Sequence, residues 1–301
     1  MNLKDKKILI TGGSGFVGMN LITRLQKEGA NVENYDISNG NRIENSINLL
    51  KFVKKQFDII YHLAGFSGSS ESNKDIQKSF EINTLSTVNL LNMVTKFSPK
   101  TKIIFSSSRL EYGKPVYLPV DENHPTQPIS AYGLSKLCAT QVALIYHKIH
   151  NLDVTIFRTS NVYGPHPYAK FSGYNIVNHF IDLAKQNKTL TIFGEGAQIR
   201  EYLYIDDFID AIILASTPKS AGQIYNLGYG KGIKLKEIAK LIIKTVSKGK
   251  VKVVKWPKNY QEVETGDYVS DISKIENDLD FKPKIDFQTG IGKTLKLGIR
   301  N

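Results

Sequence analysis

The stretch K-I-L-I-T-G-G-S-G-F-V-G, residues 7–18, decides the architecture. An apolar run of strand length leads straight into Gly12, Gly15 and Gly18 at GxxGxxG spacing. The helical pattern F-V-G-M-N-L-I-T-R-L-Q-K-E (16–28) follows and stops at Gly29. Glycine permits a tight turn and lets a pyrophosphate approach the backbone. Amides and dipole at the helix start then stabilise the phosphate charge. Strand, glycine turn and helix in that order read as a dinucleotide site.

Outward from this turn the same alternation continues. N-V-E-N-Y-D (31–36) reads as a second strand ending at Asp36. A carboxylate there accepts hydrogen bonds from adenosine ribose hydroxyls and repels a 2′-phosphate, which favours NAD. Arg42 lies close by in sequence and leaves NADP open, since an arginine can neutralise that phosphate. F-D-I-I-Y-H-L-A-G (57–65), T-K-I-I-F-S (101–106) and L-D-V-T-I-F-R (152–158) read as further core strands. Helices are expected over 74–97 and about 130–150. Such alternation with short links predicts a parallel sheet covered on both faces.

After residue 163 the pattern changes. Y-G-P-H-P-Y opens a loop, and short strands (T-L-T-I-F, Q-I-Y-N-L-G, K-V-K-V-V) mix with helices. The expectation is an α/β chain: a doubly wound parallel sheet over 1–163, and a smaller α/β lobe over 164–301, with the chain interleaving between them. W-P-K-N-Y-Q-E-V-E-T-G-D (256–267) reads as a polar loop.

Bulk properties narrow the function classes. The 301 residues are 41% hydrophobic and 23% charged, ordinary for a globular protein with a sizeable core. The formal net charge of +12 could indicate nucleic acid, but the lysines are scattered and no helix carries a basic stripe. A generic basic surface that attracts an anionic small substrate is the better reading. No apolar run reaches membrane-spanning length, and the N-terminus enters a strand without a signal-peptide core, so a cytoplasmic protein is expected. The single cysteine, Cys138, excludes an internal disulfide framework and lies in an apolar helical pattern as a packed small hydrophobe. No metal site is expected.

A-Y-G-L-S-K supplies Tyr132 and Lys136 at i, i+4, on one helix face. A tyrosine near pKa 10 is a poor base at neutral pH. A lysine ammonium and a positive nicotinamide ring both favour the phenolate and lower that pKa. Such a tyrosine can take a proton from a sugar hydroxyl.

Together these residues resemble the extended short-chain dehydrogenase/reductases, in particular the nucleotide-sugar epimerase/dehydratase family. T-G-G-S-G-F-V-G, H-L-A-G (62–65), F-S-S-S (105–108), Y-G-L-S-K, R-T-S-N-V-Y-G-P (158–165), G-E-G-A-Q-I-R-E-Y-L-Y-I-D-D (194–207) and Y-N-L-G (225–228) fall in the family's order over nearly the whole chain. The resemblance implies a Rossmann-type sheet holding NAD(P) and a C-terminal lobe holding a nucleotide diphosphate sugar. It also implies a homodimer pairing through helices that include the Y-x-x-x-K one. By position, Ser108 resembles the catalytic serine or threonine, Tyr132 the base, and Lys136 its partner and a ribose ligand. Leu63, Ala64 and Gly65 resemble the loop lining the cofactor, and Phe16, Val17, Ile37 and Ser106 fall at the same site. Asn83 resembles a helix asparagine near the active site, or simply bridges backbone. Asn161 resembles a substrate contact, with Asn175, Ile176 and Phe193 shaping the sugar and base sites. Arg200 resembles the arginine that binds the diphosphate, or pairs with Glu195 or Glu201.

One segment separates chemistries within the family. In its 4,6-dehydratases the catalytic serine or threonine is followed by Asp-Glu, which handle the elimination of water. In S-S-S-R-L-E-Y-G-K (106–114) those positions are Arg109 and Leu110. Leucine transfers no proton and arginine stays protonated. Glu111 matches a position that is usually apolar, so it is expected to point elsewhere. What remains is oxidation and reduction at a hexose carbon. A 4-epimerase oxidises the C4 hydroxyl, turns the 4-keto sugar and returns hydride to the other face. A reductase of a nucleotide-linked 4-keto-6-deoxy sugar would use the same Ser–Tyr–Lys set. A non-catalytic dinucleotide-binding protein is the reading from another class, and the intact set argues against it. Two positions depart from the family pattern: Glu264 stands where an arginine often contacts the diphosphate, and Arg42 where an acid often faces adenine.

Overall fold

A computed structural model describes residues 3–165 and 175–297, apart from the side chains of Asn259 and Leu297. The first-half apolar runs form β1 (Lys7–Thr11), β2 (Asn31–Tyr35), β3 (Ile59–His62), β4 (Lys102–Ser108) and β5 (Val154–Thr159). The short strands that follow are β6 (Asn161–Tyr163), β7 (Thr189–Phe193), β8 (Ile199–Arg200), β9 (Tyr202–Tyr204), β10 (Ile224–Leu227), β11 (Ile233–Lys234) and β12 (Lys250–Val254). The main sheet is parallel and six-stranded, in the order β10-β5-β4-β3-β1-β2. Strand order reverses at β1, between β2 and β3. The crevice beyond the carboxyl ends of β1 and β3 is the place where open parallel sheets bind ligands.

Helices cover both faces. One face packs α1 (Phe16–Lys27) and, later in the chain, the apolar helix Ile205–Leu214 against Ile8, Ile10 and Tyr61. The other packs Leu9, Ile60, Ile103 and Phe105 against α2 (Ser46–Val53) and the Ala131–His150 helix. The helix expected over 74–97 has three pieces after the short α3 (Ser69–Lys74). They are α4 (Ile76–Phe80), capped by Asp75, a π-helical turn at Glu81–Leu85, and α5 (Ser86–Phe97). The Ala131–His150 helix is α6, and Ser130 Oγ caps it by accepting from Gly133 N–H at 3.1 Å.

The second half differs from its sequence reading in two respects. The strand in Q-I-Y-N-L-G is β10, which pairs with β5 and completes the main sheet, so the chain returns to the first half after residue 223. The stretch expected as a polar loop carries a short helix, Lys258–Gln261, and its Trp256 packs on Phe193 with ring centroids 5.6 Å apart. The other two expected strands, β7 and β12, pair with each other in parallel. They pack with α7 (Ile176–Lys185) and the strongly amphipathic helix Leu235–Val246. Among the described residues no helix is long and apolar enough to cross a membrane.

Candidate active site

The three glycines of the first turn have different physical reasons. Gly12 has φ +74°, and a Cβ there would lie 2.7 Å from Ala64 N, so glycine lets β1 and the loop after β3 meet. A Cβ on Gly18 would lie 2.5 Å from Gly12 O, which forces α1 and the turn into close contact. Gly15 has an ordinary extended backbone, φ −75°, and its Cβ would meet only Gly12 O, at 3.3 Å. Packing alone therefore explains Gly12 and Gly18. At Gly15 the missing side chain keeps the start of α1 open, and the residues fit a dinucleotide pyrophosphate there. Phe16 and Val17 open α1, and Val17 reaches the neighbouring cavity.

Asp36 directly follows β2 and is 8% exposed. Its carboxylate accepts from Ser14 N–H at 3.1 Å and Ser38 N–H at 2.8 Å, which ties the glycine turn to the strand end. Each oxygen keeps a lone pair for a further donor. Ile37 follows, largely exposed. Arg42 pairs with Glu44 at 2.7 Å, so its guanidinium is already engaged.

Leu63, Ala64 and Gly65 form the loop beyond β3, held by two buried side chains. Thr11 Oγ1 bonds His62 Nδ1 at 2.7 Å and accepts from Ala64 N–H at 3.3 Å. His62 Nε2 bonds Thr87 Oγ1 at 3.0 Å, and burial pushes its imidazole down to about 3. Asn83 sits in the π-helical turn, 1% exposed. Its Oδ1 accepts from Phe66 N–H at 2.8 Å, and its Nδ2 donates to Phe66 O at 3.1 Å and Ser135 Oγ at 3.0 Å. Asn83, expected at the cofactor site, therefore works through the loop: its amide is taken up by backbone and Ser135, the bridging alternative.

Alternation along β4 gives the three serines 106–108 different surroundings. Ser106 O accepts from Lys136 Nζ at 2.5 Å, and that ammonium also lies 4.5 Å from the Phe105 ring centroid. Ser107 points the other way, to Glu111 and to Thr140 Oγ1 at 3.1 Å. Ser108 turns to the cavity, accepts from Leu110 N–H at 3.2 Å, and hydrogen-bonds Tyr132. Gly133 lets this segment lie against α6, because a Cβ there would be 2.4 Å from Leu110 O.

Tyr132 and Lys136 share one face of α6, and burial acts on both. Burial pushes the Tyr132 phenol up, and the Ser108 hydrogen bond pulls against it. Burial pulls the Lys136 ammonium down to about 8.

Glu111 is fully buried. It pairs with Arg158 at 2.8 Å, accepts from Thr140 Oγ1 at 2.6 Å, and stays out of the cavity. Arg158 also donates to Tyr112 Oη at 3.0 Å, and Tyr112 Oη donates to Asn226 Oδ1 at 2.7 Å. This polar cluster locks the ends of β4, β5 and β10 together beneath the site.

The cavity beside Ser108 and Tyr132 has a volume of about 550 Å³, within the usual range for small-molecule sites. Asn161, Asn175, Ile176, Phe193 and Arg200 all line it. Asn161 Nδ2 donates to Glu201 O at 3.1 Å. Asn175 caps α7 and donates to Val162 O at 2.7 Å, so it shapes the wall with its amide already engaged. Arg200 contacts Glu264 and the Gly266 carbonyl, and neither Glu195 nor Glu201 is its partner. Arg109, Gln198, Tyr202 and Trp256 are among the lining residues that the sequence reading did not assign to the site. The one tryptophan of the chain, alone in a polar stretch, was the signal available for the last.

The chain is similar to known proteins in sequence and in fold. A sequence profile described as the NAD dependent epimerase/dehydratase family matches residues 8–228. A putative UDP-glucose 4-epimerase from Methanocaldococcus jannaschii is 31% identical, over 96% of this chain and 97% of that protein. A dTDP-D-glucose 4,6-dehydratase from Mus musculus is 27% identical, over 97% of this chain and 88% of that one. The crystal structure of a UDP-glucose 4-epimerase from Thermotoga maritima, solved with UDP-glucose, superposes with a TM-score of 0.87 at 25% identity, covering 97% and 98% of the two chains. With its glycine turn, Asp36 and the Ser108–Tyr132–Lys136 set, the chain belongs to the NAD dependent epimerase/dehydratase family, an extended short-chain dehydrogenase/reductase whose cofactor is NAD.

Proposed function

We propose that the chain is a nucleotide-sugar 4-epimerase. One observation carries the choice over a dehydratase. Among the described residues lining the cavity the one carboxylate is Glu264, and it is held against Arg200. Elimination of water needs an acid and a base beside the leaving group, and Arg109, Leu110 and the buried Glu111 supply neither.

Bound NAD supplies reversible redox chemistry at the sugar carbon. Ser108 and Tyr132 hold the reacting hydroxyl, and Tyr132 takes its proton and gives it back. The positive charge of the oxidised cofactor favours the phenolate that burial opposes. Lys136 fits a ribose ligand. Phe193 and Trp256 offer aromatic faces for the nucleotide base, and Arg200 suits a diphosphate. The division at residue 163 into cofactor and substrate parts is proposed in this functional sense. A homodimer through α6 is supported by an apolar stripe, Leu134, Ile145 and Ile149, at least 43% exposed.

The test is to denature freshly purified protein, identify the released dinucleotide, and incubate intact protein with UDP-glucose or UDP-galactose without added cofactor. Retained NAD and interconversion of the two are expected, with a loss of about 10²- to 10⁴-fold in Tyr132→Phe. Conversion of dTDP-glucose to its 4-keto-6-deoxy product would establish the dehydratase instead. An empty site, no interconversion and turnover of 4-keto-6-deoxy sugars with NAD(P)H would establish the reductase.

A further inference from the structure

Among the described residues, two guanidiniums and one carboxylate face the same cavity. Arg200 sits at the end of β8, 8% exposed. Its Nη1 donates to Ile199 O at 2.8 Å and to Gly266 O, and its Nη2 meets Glu264. Arg109 comes from a different wall, the segment directly after Ser108. Its guanidinium lies 4.9 Å from the Tyr268 ring centroid, and its Nη1 donates to Thr265 Oγ1 at 3.2 Å. Both arginines thus grip consecutive residues of one loop, 264–266.

The charges do not balance. Among the described residues two cations share the site with one anion, and Arg109 hydrogen-bonds a neutral hydroxyl. Burial and then the nearby Arg200 charge pull the Arg109 guanidinium down to about 10. A buried cation needs an anion or a strong set of acceptors. A group with two adjacent negative charges would satisfy both arginines at once, in the forked geometry guanidinium offers to phosphate oxygens.

We propose that Arg109 and Arg200 form a two-guanidinium clamp for the diphosphate of the substrate, with Glu264 as the resident counter-ion that the diphosphate displaces. The clamp rests on the nucleotide-sugar reading above. Glu264 is placed for release: its side chain is 25% exposed, and Gly266, at φ +72°, has no atom within 4 Å of a built Cβ. The clamp makes Arg109 a binding residue peculiar to a segment where proton-transfer acids would otherwise stand. It also predicts selection for diphosphates over monophosphates, because a single phosphate displaces Glu264 without reaching both arginines.

The experiment is calorimetric titration of the NAD-loaded protein with UDP, dTDP, GDP and CDP and with the matching monophosphates. No sugar is turned over, so binding is read apart from catalysis. At least one diphosphate should bind, more tightly than its monophosphate. Glu264→Gln should tighten that diphosphate by about tenfold, as the competing carboxylate loses its charge. Arg109→Met should weaken it by about tenfold or more, and Arg109→Lys by less, with retained NAD and an unshifted melting temperature confirming the fold. If none of the four binds the wild type, the nucleotide-sugar reading and the clamp fall together. If one binds but neither Glu264→Gln nor the Arg109 variants shift it, the clamp alone falls. It also falls if Arg109→Met weakens UDP-glucuronate while leaving UDP untouched, which would place Arg109 at the sugar.

Discussion

Lys136 carries a cost that its spacing from Tyr132 does not reveal. The i, i+4 pattern puts both on one face, but the ammonium is buried over Phe105 with a carbonyl as its hydrogen-bond acceptor. Its folded pKa, about 8, lies below the ordinary 10.5. The ammonium therefore destabilises the cofactor-free fold in full below pH 8, and the cost is relieved as pH rises from about 8 to about 10.5. By that shift it is worth up to about 3 kcal/mol. Lys136→Met should raise the melting temperature of cofactor-free protein at pH 7 while abolishing turnover, and the gain should vanish near pH 10. A lower melting temperature at pH 7 would mean that the carbonyl bond outweighs desolvation. Glu111 makes the converse point. It reads as a free acid beside a catalytic serine, yet its carboxylate is enclosed by Arg158, Thr140 and Ser107.

At the scale of elements, the π-helical turn at Glu81–Leu85 is the feature that positions the loop after β3. One such turn interrupts an otherwise continuous helix and carries Asn83 on it. Asn83 then clamps Phe66 to Ser135 of α6, so the loop after β3 is held against the helix that bears Tyr132 and Lys136. Asn83→Ala leaves the Phe66 amide without its partner, a loss of about 1–3 kcal/mol. The variant should also bind NAD about tenfold more weakly, because ordering the loop becomes a cost of binding. Titration with NAD and amide exchange over residues 63–68 measure both; unchanged affinity with lowered stability would leave Asn83 a purely structural residue.

At the scale of the whole molecule, the sheet buries a histidine that resists charging while the fold is closed. His62 lies between Thr11 and Thr87, stacked 5.4 Å from Phe105, with its folded value near 3 against an ordinary 6.5. Above pH 6.5 it is neutral folded or unfolded and costs nothing. As pH falls from 6.5 to 3, the unfolded chain takes up a proton that the folded one refuses, and stability is lost. By that shift the loss is on the order of 5 kcal/mol. Denaturant unfolding between pH 7 and 4 should show a steeper fall in the wild type than in His62→Gln. Parallel curves would place the acid sensitivity elsewhere.

The sequence by itself determined the parallel sheet, the glycine turn, Asp36 and the Tyr132–Lys136 face. Each of these is local: apolar runs of strand length, a backbone that only glycine adopts, and a spacing that matches the helix turn. Tertiary structure alone decided the rest. It returned Ile224–Leu227 to the main sheet, because a strand's partner depends on which edge is open and not on its own residues. It brought Trp256 to Phe193 and Arg109 to Thr265, contacts between segments far apart in the chain. It also determined which ionisable groups face water and which face apolar atoms. Burial is a property of neighbours, so the altered tuning of Tyr132, Lys136 and His62 became visible only once those neighbours were in place.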